Sequence, residues 1–171
     1  MTNKLLYVWN NITKFCLYAL IFLIPVWFLP WTNFQVSWNK QFILIVLSLI
    51  AFIAWLIKNI AQGEISYKKS YANPLLFLLL ILSILSSWFS AARSLGFLGL
   101  TGAETDVFVN MCSFAIVFFL LVNVSLNKKL LALLFVISAS ILLLFSFLQI
   151  SQNWILPWDF SKVITFHTIG T

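Results

Sequence analysis

The sequence contains very few charged residues. Only 8% of its 171 residues are charged, and only four of these are acidic. A soluble domain has about 25% charged residues, so this chain lacks the polar surface that would cover a globule in water. The ten basic residues are scattered in ones and twos rather than gathered into a basic stripe. Their net charge of +6 therefore does not indicate a nucleic-acid partner.

Residues that carry common enzyme chemistry are also scarce. His167 is the only histidine, and the two cysteines, Cys16 and Cys112, both lie inside apolar blocks. Two separated cysteines without nearby histidines make no metal site. The sequence has no phosphate-binding glycine loop, no zinc-protease motif and no nucleophile elbow. We therefore expect no metal and no cofactor, and the sequence assigns no catalytic residue.

The abundant residues are hydrophobic. They make up 63% of the chain, its mean hydropathy is +1.05, and they occur in blocks that short polar stretches separate. Blocks of about 17 to 21 residues match the roughly 30 Å of hydrocarbon that a helix crosses at about 1.5 Å per residue. The pattern predicts one all-α transmembrane domain over residues 1–171, with about five spans near 15–31, 41–57, 74–91, 107–124 and 130–150.

Two prolines and the absence of charge refine these spans. Pro25 lies within the first span and predicts a kink, with neighbouring helices satisfying the freed carbonyl. Pro74 opens the third span, where its missing N–H costs nothing. No charged residue falls inside any predicted span. Proton- and ion-coupled transporters usually keep a charged group near the bilayer centre, so this absence argues against a transporter.

Lysines and arginine set the predicted orientation, because cytoplasmic loops of membrane proteins are enriched in them. With the N-terminus in the cytoplasm, seven lysines fall inside: Lys4, Lys14, Lys58, Lys68, Lys69, Lys128 and Lys129. Only three basic residues then fall outside: Lys40, Arg93 and Lys162. Residues 151–171 form an outer interfacial segment that leads toward a sixth span. A signal peptide is the competing interpretation of the N-terminus, but the first apolar run ends without a small-residue cleavage site.

Tryptophans and serines give weaker signals. Six of the eight tryptophans fall at or beyond the predicted outer interface: Trp27, Trp31, Trp38, Trp88, Trp154 and Trp158. They form either an aromatic belt that anchors the helices or a stacking surface for sugars or a lipid headgroup. Ser83, Ser87 and Ser90 recur at helical spacing, and Asn110 and Ser113 share a helix face. These positions predict close helix packing with interhelical hydrogen bonds.

The outer loop after the third span is the best candidate for a ligand site. It contains Arg93, three glycines and the acids Glu104 and Asp106. An arginine at headgroup level beside a loose backbone can hold a lipid diphosphate through two hydrogen bonds. The alternative is an ordinary interfacial arginine in a glycine-rich turn. The candidate substrate-binding residues are Arg93, Lys40 and Trp88.

Three stretches of the chain carry a series of motifs: IPVWFLPWTNFQVSWNKQFILIV, PLLFLLLILSILSSWFSAARSLGFLGLTGAETDVF and VITFHTIGT. Within them, Lys40 opens the second span, SSWFS ends the third, and Ser94, Gly96 and Gly99 form an S-x-G-x-x-G turn. The order of these motifs resembles the N-terminal part of bacterial O-antigen ligase and O-antigen polymerase-like membrane proteins. The resemblance covers nearly the whole chain, which would correspond to the first third to half of such a protein.

The resemblance implies a function at the outer face of the bacterial cytoplasmic membrane. Such proteins transfer glycans from an undecaprenyl diphosphate carrier to an acceptor, without a metal or nucleotide in that step. Basic residues must stabilise the leaving diphosphate. The catalytic arginine and histidine of the family lie in a later outer loop that has no counterpart here. An arginine common after the family's glycine turn is also absent, because Gly-Ala-Glu-Thr-Asp stands there.

Three hypotheses of function follow. The first is the membrane-embedded N-terminal part of a lipid-linked glycan transferase, inactive by itself, with membrane lipid, an undecaprenyl-diphosphate-linked glycan and the rest of the same polypeptide as partners. The second is a transporter or channel subunit. The third is a non-enzymatic membrane-assembly protein, which the composition permits equally well. Additional spans and an outer loop with Arg and His encoded beyond Thr171 would favour the first.

Overall fold

The computed structural model describes residues 2–27, 36–64, 68, 70, 72–90 and 108–151. These residues form five α-helices, which are α1 (Thr2–Val26), α2 (Val36–Gln62), α3 (Ala72–Phe89), α4 (Phe108–Asn123) and α5 (Lys128–Ile150). Each helix contains or overlaps one predicted apolar run, and no strand occurs among the described residues. The predicted all-α fold class is therefore confirmed.

Helix α1 differs most from its predicted span. It begins at Thr2 rather than near residue 15, so it includes Lys4 and Lys14. Two more lysines, Lys40 and Lys58, lie within α2. The observed helices thus contain charged residues that the predicted spans excluded. A helix continues through polar residues wherever its backbone hydrogen bonds are kept, so hydropathy alone does not mark where it starts.

Pro25 marks the end of α1 rather than a kink within a longer span. The helix ends at Val26, one residue later, and the Trp27 N–H still donates to the Leu23 carbonyl at 2.7 Å. The predicted continuation to residue 31 lies outside the described residues. Because proline has no N–H, its position in the last turn removes only one hydrogen bond close to the helix end.

A glycine follows the end of α2, and a proline lies in the first turn of α3. Gly63 follows the last residue of α2 with a φ of +74°, a left-handed conformation that commonly terminates helices. Helix α3 begins at Ala72, so Pro74 lies in its first turn, where a missing N–H is tolerated. The predicted start of this helix at proline is therefore correct to within two residues.

Helices α1 and α2 form an antiparallel pair at the centre of the fold. Lys58 near the end of α2 contacts Asn10 in the first half of α1, whereas Lys40 near the start of α2 contacts Pro25 at the end of α1. Two alanines of α2, Ala51 and Ala54, are almost fully buried. Small residues let helix backbones approach closely, which is how helices gain packing energy inside a membrane.

The core extends from this pair to α4. Leu17 of α1 and Leu120 of α4 are fully buried and belong to one apolar cluster with Ala51. Trp55 of α2 belongs to the same cluster and meets the ring of Phe119 edge-on, with 5.2 Å between the ring centroids. Edge-to-face contacts of this kind add to the packing of aromatic rings. Helix α4 is thereby fixed against α2.

Helices α3 and α5 lie at the periphery of the described fold. Helix α3 packs mainly on α4, and α5 packs mainly on α1. Their large apolar side chains are widely exposed; Phe77, Phe89, Leu143 and Phe147 are each at least 67% accessible. Exposed apolar area of this extent is unfavourable in water and is expected where lipid or protein surrounds a helix. These surfaces identify a membrane protein.

Three of the five helices are long and apolar enough to cross a membrane, at Lys4–Val26, Asn39–Gln62 and Lys128–Leu148. The apolar parts of α3 and α4, Asn73–Phe89 and Phe108–Asn123, are shorter. At about 1.5 Å per residue, the 16 residues of α4 extend about 24 Å, short of the roughly 30 Å hydrocarbon layer. Residues 91–107 between these two helices lie outside the described part.

One end of the bundle gathers several lysines, and we call it the lysine end. Lys58 of α2 lies there against Asn10, and the Lys68 N–H donates to Asn123 at the end of α4 at 2.7 Å. The N-terminus of α5, with Lys128 and Lys129, follows directly after α4. All of these lysines belong to the set predicted to share the cytoplasmic side. The structure thus brings them to one end of the fold, while the side of the membrane remains a prediction.

Candidate functional site

Lys40, a predicted substrate-binding residue, contacts the backbone of α1. Its Nζ lies 3.4 Å from the Pro25 carbonyl oxygen, which belongs to the last turn of α1. A cation at a helix C-terminus also interacts favourably with the helix dipole. Lys40 therefore fixes the end of α1 against the start of α2, which is a structural role that the sequence did not indicate.

Trp88 lies near the end of α3, and its side chain is 57% exposed. Trp27 follows the end of α1, and its indole Nε1 is buried without a hydrogen-bond partner. Arg93, the third candidate, lies outside the described residues, as do Trp31, Trp154 and Trp158.

A hollow of about 510 Å³ lies along α3 and is the first of two candidate ligand sites. We call it the serine hollow, because three of its eight lining residues are serines from the SSWFS region and the residues just before it. The lining residues are Leu75, Leu78, Leu79, Leu82, Ser83, Ser86, Ser87 and Met111. Only Met111 comes from α4; the others come from α3.

The serine hydroxyls of this hollow differ from the expected pattern. Ser83 Oγ donates to the Leu79 carbonyl at 2.8 Å, within its own helix, and Ser113 of α4 likewise donates to Val109 at 3.0 Å. The expected interhelical hydrogen bonds are therefore wrong for these two donors, because each hydroxyl donates to a carbonyl one turn back in its own helix. A serine that donates in this way keeps its lone pairs as acceptors. The hollow can accept hydrogen bonds from hydroxyl groups, but it has no group that would activate a nucleophile.

A second hollow lies among α2, α3 and α4, and we call it the Asn73 groove. Its volume is about 470 Å³. Its lining is apolar except for Asn73 at the start of α3, and consists of Phe52, Asn73, Leu76, Phe77, Leu80, Cys112, Ala115, Ile116 and Phe119. Asn73 Nδ2 donates to the Lys68 carbonyl at 3.3 Å, whereas its Oδ1 is buried without a hydrogen-bond partner. Neither Lys40 nor Trp88 lines either hollow.

Chemistry-bearing side chains are sparse in the part of the chain that the structure describes. No group of three or more His, Cys, Asp or Glu side chains lies close enough there to hold a metal ion. Glu64 is the one acidic residue in those ranges, and it is exposed. The two hollows of the described helices are lined mainly by apolar side chains, with Asn73, Cys112 and three serines as the polar exceptions.

The described helices, with their exposed apolar faces, define the chain as an all-α membrane protein. No protein-family model matches it, and no curated protein or solved structure shows significant similarity to it. Its classification therefore rests on its own residues and geometry.

Neither hollow was indicated by a sequence motif. The serine hollow could have been suspected from the spacing of Ser83, Ser86 and Ser87, which places them along neighbouring positions of a helix surface. The Asn73 groove depends on how three helices pack, and its residues come from three separate apolar runs. Asn73 itself carried no signal beyond its place beside Pro74 at a helix start.

Proposed function

We propose that the chain is the membrane-embedded N-terminal part of a transferase that acts on glycans linked to undecaprenyl diphosphate at the outer face of the bacterial cytoplasmic membrane. The observation that carries the proposal is the serine hollow, an open cavity that combines leucine side chains with hydroxyl groups on a peripheral helix. A polyprenyl-linked sugar has both an apolar chain and hydroxyl groups, so its chemistry suits this lining.

The position of the serine hollow supports the same proposal. Its serines lie in the last two turns of α3, away from the lysine end where this helix begins. In the predicted orientation they face the outer leaflet, and the chain continues from there to Arg93. An arginine at that level is suited to a diphosphate, because its guanidinium donates two parallel hydrogen bonds. We propose Arg93 for the diphosphate and Trp88, exposed beside the hollow's serines, for stacking on a sugar.

The proposal can be tested by photo-crosslinking in proteoliposomes. A photoreactive polyprenyl diphosphate is expected to label the peptide that contains Ser83 and Ser86. The substitution Ser86→Leu should reduce this labelling several-fold, because it replaces a hydroxyl with bulk in the hollow. Ser140→Leu is the matched control, since Ser140 is an exposed serine on α5 that lines neither hollow.

A second comparison isolates the diphosphate. Arg93→Gln should weaken labelling by the polyprenyl diphosphate and leave labelling by the corresponding polyprenol unchanged. Lys162→Gln, at another basic residue of the predicted outer side, should have no effect on either probe. Labelling that avoids α3, or that is the same for Arg93→Gln and the unaltered chain, would refute the proposed function.

A further inference from the structure

The Asn73 groove lies along the half of α3 that is closer to the lysine end. Asn73 and Leu76 belong to the first turns of α3, and Leu80 lies near the helix midpoint. Facing them, the groove includes Phe119 near the end of α4 and Cys112 farther from it. The groove therefore begins at the lysine end and extends toward the middle of the bundle.

The lining indicates an elongated apolar occupant with one polar end. Asn73 is the only polar lining residue apart from the thiol of Cys112, and it stands at the end of the groove nearest the lysines. Phe77 at the groove is 67% exposed, so the groove is open along the surface that faces the surrounding membrane. An acyl chain can enter from that side without crossing the core.

The unpaired side-chain oxygen of Asn73 indicates that the occupant carries a hydrogen-bond donor. Its Oδ1 is buried and unpaired, although its Nδ2 is paired with the Lys68 carbonyl. A buried acceptor without a donor is unfavourable, and most such atoms in proteins have a partner. Because Asn73 lines the groove, an occupant whose polar end carries a hydroxyl can supply the missing donor there.

Charge complementarity selects the kind of headgroup. Lys68 adjoins Asn73 through its carbonyl, and Lys58, Lys128 and Lys129 lie in helix ends at the same end of the bundle. The described residues include one acid, Glu64, against these lysines. Clusters of lysine beside membrane helices attract anionic lipids. A zwitterionic headgroup would gain less from the same surroundings.

We propose that the Asn73 groove binds one acyl chain of an anionic phospholipid, whose hydroxyl-bearing headgroup lies at the lysine end between Asn73 and Lys68. This site shares no lining residue with the serine hollow, and its Asn73 lies at the opposite end of α3 from the serines of that hollow. The inference does not depend on the proposed glycan transfer. It assigns the chain a bound lipid in the leaflet at the lysine end.

Native mass spectrometry of the chain released from mixed nanodiscs tests the proposal. With phosphatidylglycerol and phosphatidylcholine of equal chain length, the chain is expected to retain phosphatidylglycerol preferentially, with one lipid bound per chain. Leu80→Trp fills the groove and should abolish this retention. Ile81→Trp is the matched control, because the neighbouring Ile81 is exposed and lines neither hollow.

The headgroup contacts are tested separately. Lys68→Gln should reduce the preference for phosphatidylglycerol about fivefold, the effect of one basic residue near an anionic lipid surface. Lys4→Gln removes the same charge from α1, which contributes nothing to the groove lining, and should leave the preference unchanged. Asn73→Leu should reduce retention of phosphatidylglycerol while keeping that of phosphatidylcholine.

Two results would overturn the proposal. One is equal retention of both lipids by the unaltered chain, and the other is equal loss in the Leu80→Trp and Ile81→Trp variants. If Leu80→Trp does not fold, a photoreactive phosphatidylglycerol on the unaltered chain decides the question, since its crosslinks must map to α3 and α4 peptides around Leu76 and Ile116. Crosslinks elsewhere, or lipid-free dimers that cover the groove, would contradict lipid binding at this site.

Discussion

Polar side chains inside the bundle mostly bond to their own helices. Thr13 donates to the Trp9 carbonyl at 3.0 Å, and Asn59 donates to the Trp55 carbonyl at 3.0 Å. Both residues are buried, so these bonds avoid the cost of an unpaired polar group in an apolar surrounding. They hold no helices together. The contact between Lys58 Nζ and Asn10 Oδ1 at 2.9 Å is different, because it joins α2 to α1.

The Asn10–Lys58 contact leads to a prediction at the scale of single residues. Asn10→Ala removes the acceptor and should lower the free energy of unfolding in detergent by about 1 kcal/mol, the usual contribution of a hydrogen bond. Asn11→Ala changes the same residue type at an exposed position of the same helix and should change stability by less than about 0.5 kcal/mol. Chemical unfolding followed by circular dichroism measures both. Equal effects of the two substitutions would show that the interhelical bond adds no stability.

Helix α5 begins in a way that its charges alone do not favour. Lys128 and Lys129 occupy its first turn, where the positive end of the helix dipole disfavours cations. Asn127 compensates as the N-cap, since its Oδ1 accepts from the N–H groups of Lys129 at 3.0 Å and Leu130 at 3.5 Å. The Asn127 N–H in turn donates to the Tyr18 hydroxyl of α1 at 2.8 Å. The cap therefore also fixes α5 to α1.

The N-cap of α5 gives a prediction at the scale of the helix. Asn127→Ala should destabilise the chain by about 1 kcal/mol, because two N–H groups lose their acceptor. Asn127→Asp keeps an acceptor and adds a negative charge next to the helix N-terminus, so it should be as stable as the original or more so. Thermal unfolding in one detergent compares the three chains. An alanine variant as stable as the aspartate variant would contradict the capping role.

At the scale of the whole molecule, the sequence predicts helices better than contacts. The five helices follow from apolar runs, since blocks of such length and composition have few alternatives in a membrane. The start of α1 could not be predicted, because its first half interrupts short apolar stretches with Lys4, Asn10 and Asn11 and contains no long apolar run. The two hollows could not be predicted either. The Asn73 groove arises only when Phe52, Leu76 and Cys112 are brought together from three helices.

The sidedness of the bundle connects the lysine end, the Asn73 groove and the serine hollow. The structure places Lys58, Lys68 and the start of α5 at one end, and the loop charges predict that this end faces the cytoplasm. If so, the groove opens to the inner leaflet and the serines of α3 lie toward the outer one. The assignment of each proposed binding site to the inner or the outer leaflet therefore relies on an orientation that can be measured directly.

Reporter fusions in the native membrane measure this orientation. A reporter enzyme that is active only outside the cytoplasm would be joined after Lys69 in one fusion and after Asp106 in another. The predicted result is an inactive reporter after Lys69 and an active one after Asp106, because the third apolar run crosses the membrane between them. Reporters that are both active or both inactive would contradict the predicted orientation. So would an active reporter after Lys69 together with an inactive one after Asp106.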